Sequence, residues 1–214
     1  MTPPARPLRF LLVEDNPAAA ELVVRQLRLA RVEFEWRRVV TEADFLDGIA
    51  TDPDLILSDF ELPQFSGPRA LELLQRSGRD IPFIVISGII GEDTAVAVMK
   101  LGAADYLLKD RLARLGPAVL HALEAGRLHR EQRALLAALK EAESRYRSIF
   151  ENTIEGIYRS AADGRFLLAN PAMARILGYG SPVELLQSGG DDAQHGYLDL
   201  GRRAEFKRRL AEQG

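Results

Sequence analysis

Leu55-Ile56-Leu57 is an apolar run without polar alternation, the pattern of a strand covered on both faces. The run stops abruptly at Ser58 and Asp59, and Pro63 and Gly67 follow as loop signals. A carboxylate at the carboxyl end of such a strand lies where open α/β sheets place their chemistry. Taken alone, Asp59 is also the kind of residue on which many strands end. It gains meaning only from the other segments of the chain.

Leu8 to Val13 is a second strand candidate and also ends in acid, Glu14-Asp15. Asn16-Pro17 then opens a helix, with Asn16 as N-cap, Pro17 at N1, and Leu22, Leu27 and Leu29 with Val23 and Val24 as its buried stripe. Phe34 to Val40 reads as a weakly alternating strand. Thr41 and Asp44 form a capping box in its acidic form for a helix ending near Ile49. After the Asp59 strand a helix is expected from about Pro68 to Arg76, stopped at Ser77-Gly78. Pro82 to Ser87 is a buried strand ending in a hydroxyl, and Thr94 to Leu101 a short helix closed by Gly102. Asp105 to Lys109 is a fifth strand, ending in a lysine.

Five strands alternating with helices over short connections imply a parallel sheet with helices on both faces. Right-handed crossovers put all the carboxyl ends on one edge. Glu14, Asp15, Asp59, Ser87 and Lys109 therefore converge. Three carboxylates at close range raise one another's pKa unless a cation neutralises them. With oxygen ligands, no cysteine in the chain and no nearby histidine, Mg²⁺ fits better than zinc. A phosphoryl group on Asp59 would meet the remaining terms: Lys109 and the metal would neutralise its oxygens, and Ser87 would donate a hydrogen bond.

Composition narrows the field. A net charge of -3 gives no overall electrostatic case for nucleic acid or an anionic membrane. The absence of cysteine excludes disulfides, thiolate metal sites and cysteine nucleophiles. No signal-peptide core opens the chain, and no apolar stretch approaches the roughly 20 residues of a membrane span. A cytoplasmic protein is the expectation.

Four stretches carry a family resemblance: Leu-Leu-Val-Glu14-Asp15-Asn, Leu-Ser-Asp59-Phe-Glu-Leu-Pro63-Gln-Phe-Ser-Gly67, Ile-Val-Ile-Ser87-Gly88 and Gly-Ala-Ala-Asp105-Tyr106-Leu-Leu-Lys109. Residues 7 to 125 resemble the receiver domain of two-component response regulators, a flavodoxin-like fold of strand order 2-1-3-4-5. The resemblance implies Asp59 as phosphoacceptor, and Glu14, Asp15, Asp59 and the backbone carbonyl of Glu61 as the Mg²⁺ site. It implies Ser87 as switch hydroxyl, Tyr106 as the aromatic that follows it inward, and Lys109 as phosphoryl partner. Tyr106 can equally be a plain core aromatic. Two departures stand out. Lys109 is followed by Asp110 where the family usually has proline, which puts that loop's cis peptide in doubt and offers Asp110 as an N-cap for the last helix. Glu61 and Ile89, two residues after Asp59 and Ser87, are expected at the pocket mouth, tuning loss of the phosphoryl group.

A long helix is expected from Pro117 to about Phe150. From residue 125 its apolar spacing is heptad-like: Leu128, Leu135, Ala142 and Ile149 in one row, Ala125, Gln132, Leu139 and Tyr146 in the other. A parallel two-stranded coiled coil over 125–149 is the sharper reading, and a single amphipathic helix on its own domains the plainer one. His129 sits on this helix, but Arg130-Glu131-Gln132 does not continue as kinase phosphoacceptor histidines do, so a solvated histidine is expected. His121 is likewise ordinary.

Beyond it, Phe150-Glu-Asn-Thr-Ile-Glu-Gly156, Asp163-Gly164 and Asn170-Pro171-Ala…Leu177-Gly178-Tyr179 resemble the opening half of a PAS sensory domain. Short strands are expected at Gly156–Ser160 and Arg165–Ala169 around the Asp-Gly turn, then a helix capped by Asn170. Three further long strands of a PAS fold do not follow, so the module is expected to be partial. A flavin photoadduct would need a cysteine, and His195 is the single candidate haem ligand.

The chain thus divides into a receiver (1–124), a coiled-coil linker (125–147) and a partial α+β PAS segment (148–214). The expected function is that of a non-enzymatic signalling protein. Asp59 would take a phosphoryl group from a histidine kinase or phosphotransfer protein, and the helix would relay the change to PAS and an output beyond Gly214. The alternatives are a phosphorylation-independent dimerisation scaffold and a Mg²⁺-dependent phosphohydrolase. The latter would need a second Asp where Glu61 stands.

Overall fold

The structure, a computed structural model, describes residues 6–63, 65–88, 91–161, 165–188 and 208–209. The Ile89, Asp163-Gly164 and His195 expectations lie outside the described residues. Two compact units divide the chain, Met1–Ala134 and Leu135–Gly214.

In the first unit, five parallel strands, β1 (Leu8–Val13), β2 (Phe34–Val39), β3 (Leu55–Asp59), β4 (Phe83–Ser87) and β5 (Asp105–Leu108), lie in the order 2-1-3-4-5. Between them run α1 (Pro17–Leu29), α2 (Glu42–Ala50), α3 (Gly67–Ser77) and α4 (Glu92–Lys100). A 3-10 turn, Lys109–Arg114, leads into α5 (Leu115–Asn152). This is the flavodoxin-like sheet expected from the alternation of elements.

Strand alternation sorts the core into two layers. Phe10, Leu12, Leu55, Leu57, Ile84, Ile86 and Leu107 pack with α1 and the start of α5. Leu11, Val13, Ile56, Phe83 and Val85 pack with α2, α3 and α4. Burial of each large side chain is worth about 1.5–3 kcal/mol, and both faces are covered, as purely parallel sheets require.

Local signals hold in most places. Asn16 Oδ1 accepts from the Ala18 amide at 2.9 Å, and Thr41 accepts from the Asp44 amide at 3.2 Å while its hydroxyl donates to the Asp44 carboxylate at 2.7 Å. Gly102 takes φ +91° after α4.

Three details differ from expectation. In α1 the buried stripe is Ala20, Val23, Val24 and Leu27, whereas Leu22 and Leu29 are exposed. A 3.6-residue period through Ala20, Val23 and Leu27 turns those two leucines away from the sheet. Helix α4 begins at Glu92, two residues before Thr94. Asp110 does not cap the last helix: it lies inside the 3-10 turn, and α5 begins five residues later, with Pro117 in its first turn where no amide donor is needed. No cis peptide bond occurs among the described residues.

Helix α5 is buried only at its start, through Leu115, Gly116, Ala118, Val119 and Ala122. Two glycines seat it closely. A Cβ on Gly116 would lie 2.4 Å from Ala30 Cβ, and one on Gly126 would lie 2.9 Å from Pro82 Cγ. From Leu128 onward the heptad leucines, Tyr146 and Ile149 are each more than half exposed in the single chain. The borders read from sequence at 124/125 and 147/148 fall within this one continuous helix.

In the second unit β6 (Tyr158–Ser160) and β7 (Phe166–Ala169) pair antiparallel, followed by α6 (Pro171–Ile176) and α7 (Pro182–Gln187). Both strands are shorter than the ranges expected. Asn170 organises the segment: its Oδ1 accepts from the Ile157 and Met173 amides at 2.9 and 2.8 Å, and its Nδ2 donates to the Glu155 carbonyl at 2.8 Å. Phe166, Ala169, Ala174 and Leu185 form a small core. No helix among the described residues is long and apolar enough to cross a membrane.

Candidate functional site

The carboxyl ends of β1, β3 and β5 bring Glu14, Asp15, Asp59 and Lys109 together. Glu14 and Asp59 continue the alternation of Leu12 and Leu57 on the α1/α5 side, and both are buried. Glu14, Asp15 and Asp59 can each offer one carboxylate oxygen such that all three lie within 4.8 Å of one another. The Lys109 ammonium donates to Asp59 Oδ2 at 2.7 Å and to Glu14 Oε2 at 3.1 Å. The other Glu14 oxygen, Oε1, accepts from the Asn16 amide at 3.1 Å.

These contacts set the electrostatics. Burial pushes the Glu14 carboxyl up and the Asp59 charge adds to it, outweighing the Asn16 amide and Lys109, so its pKa is raised. Burial alone would lower the Lys109 ammonium. Its hydrogen bonds to Asp59 and Glu14, with their charges, outweigh that and raise it. Three carboxylates against one ammonium leave a deficit of positive charge. An all-oxygen, predominantly buried donor set of this kind fits a hard divalent cation.

The backbone around Asp59 is tightly built. The Phe60 amide donates to the Ile86 carbonyl at 3.0 Å and the Gly67 amide to the Phe60 carbonyl at 3.1 Å. A Cβ on Gly67 would stand 2.6 Å from the Asp59 carbonyl oxygen, so the β3–α3 loop folds back over the strand end because residue 67 has no side chain. Glu61 lies exposed in that loop.

Ser87, buried at the end of β4, continues the alternation of Phe83 and Val85 on the opposite side of the sheet from Glu14 and Asp59. Tyr106 pairs with Val85 in register and packs, half-buried, against the same layer. The hydroxyl and the aromatic thus share one face, Tyr106 standing one step back along the sheet.

One residue that sequence reasoning passed over joins the site. Arg38, near the carboxyl end of β2, donates from Nη1 to the carbonyl oxygens of Glu14 and Asp15 at 3.1 and 3.0 Å. The signal was available, since β2 ends on the same sheet edge as the other strands. His129 is exposed on α5, as expected, and its Nδ1 in addition lies 2.8 Å from Asp80 Oδ2.

Residues 10–119 match the family described as the response regulator receiver domain. The chain belongs to that family. Residues 144–211 match the PAS domain family. The chain is 28% identical over 200 residues to the sensor histidine kinase TmoS of Ectopseudomonas mendocina, covering 80% of this chain and 20% of the kinase. The response regulator MprA of Mycolicibacterium vanbaalenii is 33% identical over 115 residues, 51% of this chain and 49% of its own length. The chain therefore spans half or less of these curated relatives. Among solved structures, the signal receiver domain attributed to a LuxO repressor protein of Vibrio parahaemolyticus is similar at 28% identity with a TM-score of 0.53. That match covers 58% of this chain and 95% of the other.

Proposed function

We propose that the receiver accepts a phosphoryl group on Asp59 from a histidine kinase or phosphotransfer protein, with Mg²⁺ held by Glu14, Asp15, Asp59 and the backbone carbonyl of Glu61. The observation that carries this is the Lys109 ammonium set 2.7 Å from Asp59 amid converging carboxylates. One Asp59 carboxylate oxygen attacks phosphorus. The O–P bond forms as the P–N bond to the donor imidazole breaks, and the imidazole keeps the electron pair. When bound, the metal would supply charge neutralisation at the phosphoryl oxygens. Lys109 turns part of its hydrogen bonding from the carboxylates to the incoming oxygens. Ser87, which faces the other side of the sheet at the adjoining strand end, turns over that edge to donate to the acylphosphate, and Tyr106, on its face, repacks with it as a two-state element. Glu61 and Ile89 tune loss of the phosphoryl group. The receiver is the acceptor in this transfer and not a turnover enzyme.

The change passes into α5, whose apolar rows pair in parallel with a second copy over residues 125–149, and on through the PAS segment to an output module. The exposed Leu128, Leu135 and Leu139 support that pairing. The similarity to a sensor kinase over 80% of the chain supports the relay. A cytoplasmic location accords with such a partner, and neither nucleic acid nor membrane is called for.

Incubation with acetyl phosphate, with and without Mg²⁺, tests the reading. Metal-dependent phosphorylation that disappears in Asp59→Asn is the expected result. No incorporation under any condition would move the function to a phosphorylation-independent scaffold.

A further inference from the structure

We infer that Arg38 is a positioning residue for the acidic pocket, tying the Glu14 and Asp15 backbone so that their carboxylates converge with Asp59. This rests on the reading of that pocket as a divalent-cation and phosphoryl site. β2 is the edge strand of the sheet, and Arg38 pairs in register with Leu12, two residues before Glu14. Its Nη1 donates to two consecutive carbonyl oxygens, those of Glu14 and Asp15, at 3.1 and 3.0 Å. Two successive carbonyls meet one cation only where the chain curls, and the curl occurs where the strand turns toward α1. The same turn is held upstream by the Glu14 amide on the Val39 carbonyl at 3.2 Å and downstream by the Asn16 cap.

The alternative role, a cation acting through space, predicts the opposite sign. Removing a positive charge near a cation site strengthens cation binding. Removing a strut that gathers mutually repelling carboxylates weakens it. Arg38 is exposed, so glutamine is accommodated there without steric conflict, and salt separates the two effects further. At 1 M salt the screening length is about 3 Å, which suppresses the through-space term and leaves positioning intact.

The experiment is Mg²⁺ titration of the full chain by calorimetry at low and high salt, comparing wild type, Arg38→Gln, Arg38→Lys and Arg37→Gln. Arg38→Gln is expected to weaken Mg²⁺ about fivefold at both salt levels, the worth of roughly one hydrogen bond. Arg38→Lys recovers part of the loss, and Arg37→Gln binds as wild type or slightly tighter. Unchanged or tighter binding by Arg38→Gln, or a weakening that vanishes in high salt, overturns the inference. If wild type itself binds no Mg²⁺, the cation reading of the pocket fails, and amide exchange decides the positioning role separately. Faster exchange at residues 14–16 in Arg38→Gln upholds it, and unchanged exchange overturns it.

Discussion

His129 Nδ1 stands 2.8 Å from Asp80 Oδ2, joining α5 to the loop that feeds β4. The same aspartate accepts from the Arg130 guanidinium through its backbone carbonyl at 3.1 Å and lies 3.9 Å from Arg133. The receiver therefore grips the helix by the face carrying Gly126, His129, Arg130 and Arg133, while Leu128 and Leu135 remain open to other partners.

From this grip, Asp80→Ala should speed amide exchange over residues 126–133. Its cost in stability should be small, about 1 kcal/mol or less, because the pair is largely exposed and the Arg130 bond goes to backbone. Mg²⁺ binding should not change. Unaltered exchange would mean the grip holds nothing.

Glu14 and Lys109 give the receiver pH dependences of the same sign in two separate windows. The folded pKa of Glu14 is raised, so the native state holds its proton more tightly than the unfolded chain does. Its contribution to stability is greatest below the unfolded value of 4.5 and is lost as pH rises through the folded value. The folded pKa of Lys109 is also raised, so its contribution persists up to 10.5 and is lost above, as pH passes the folded value. Metal-free Glu14→Gln should therefore melt higher than wild type at pH 7, and the difference should shrink toward pH 4. A melting series in the presence of chelator checks both statements.

Magnesium should reverse that order. At ten times its dissociation constant, a ligand specific for the native state adds about 1.4 kcal/mol. Wild type should gain this and Glu14→Gln should gain less, as read by the metal-induced shift in melting temperature.

Gly67→Ala should destabilise the receiver by about 1–3 kcal/mol, the usual range for forcing atoms into a packed site. The added carbon would lie 2.6 Å from the Asp59 carbonyl oxygen. Chemical denaturation measures the loss, and phosphoryl incorporation should fall with it. Wild-type values for both would mean that the loop yields.

In the second unit, Asn170→Ala should cost about 1–3 kcal/mol, because a buried side chain that satisfies two amides and one carbonyl is removed. Asn170→Asp should retain the two accepted bonds and lose the donated one, giving a smaller effect by local hydrogen exchange.

Much of this was legible in the residues. The apolar runs gave the five strands, and their terminal acids and lysine fell on one edge because right-handed crossovers leave no other place for them. Asn16, Thr41 and Asn170 announced their helices by capping chemistry. Leu22 and Leu29 misled, because hydrophobicity alone does not say which way a helix is rotated on its sheet. The position of Arg38 on the site's edge was readable, but the contacts of Arg38 and His129 were not. Their partners, two backbone carbonyls and Asp80, are far away in sequence and brought close only by the sheet and by α5.

Gly116 and Gly126 give α5 something like two keyways. Each glycine costs about 1 kcal/mol of helix propensity relative to alanine, and each admits a neighbour, Ala30 or Pro82, where a side chain would collide. Turning the helix about its axis by one residue, about 100°, would present Ala125 or Arg127 to Pro82 instead. At both positions, rotation of the base of α5 would drive a side chain into its neighbour. In the proposed relay, a change leaving the receiver along this shaft would be carried as bending or release, not as torque.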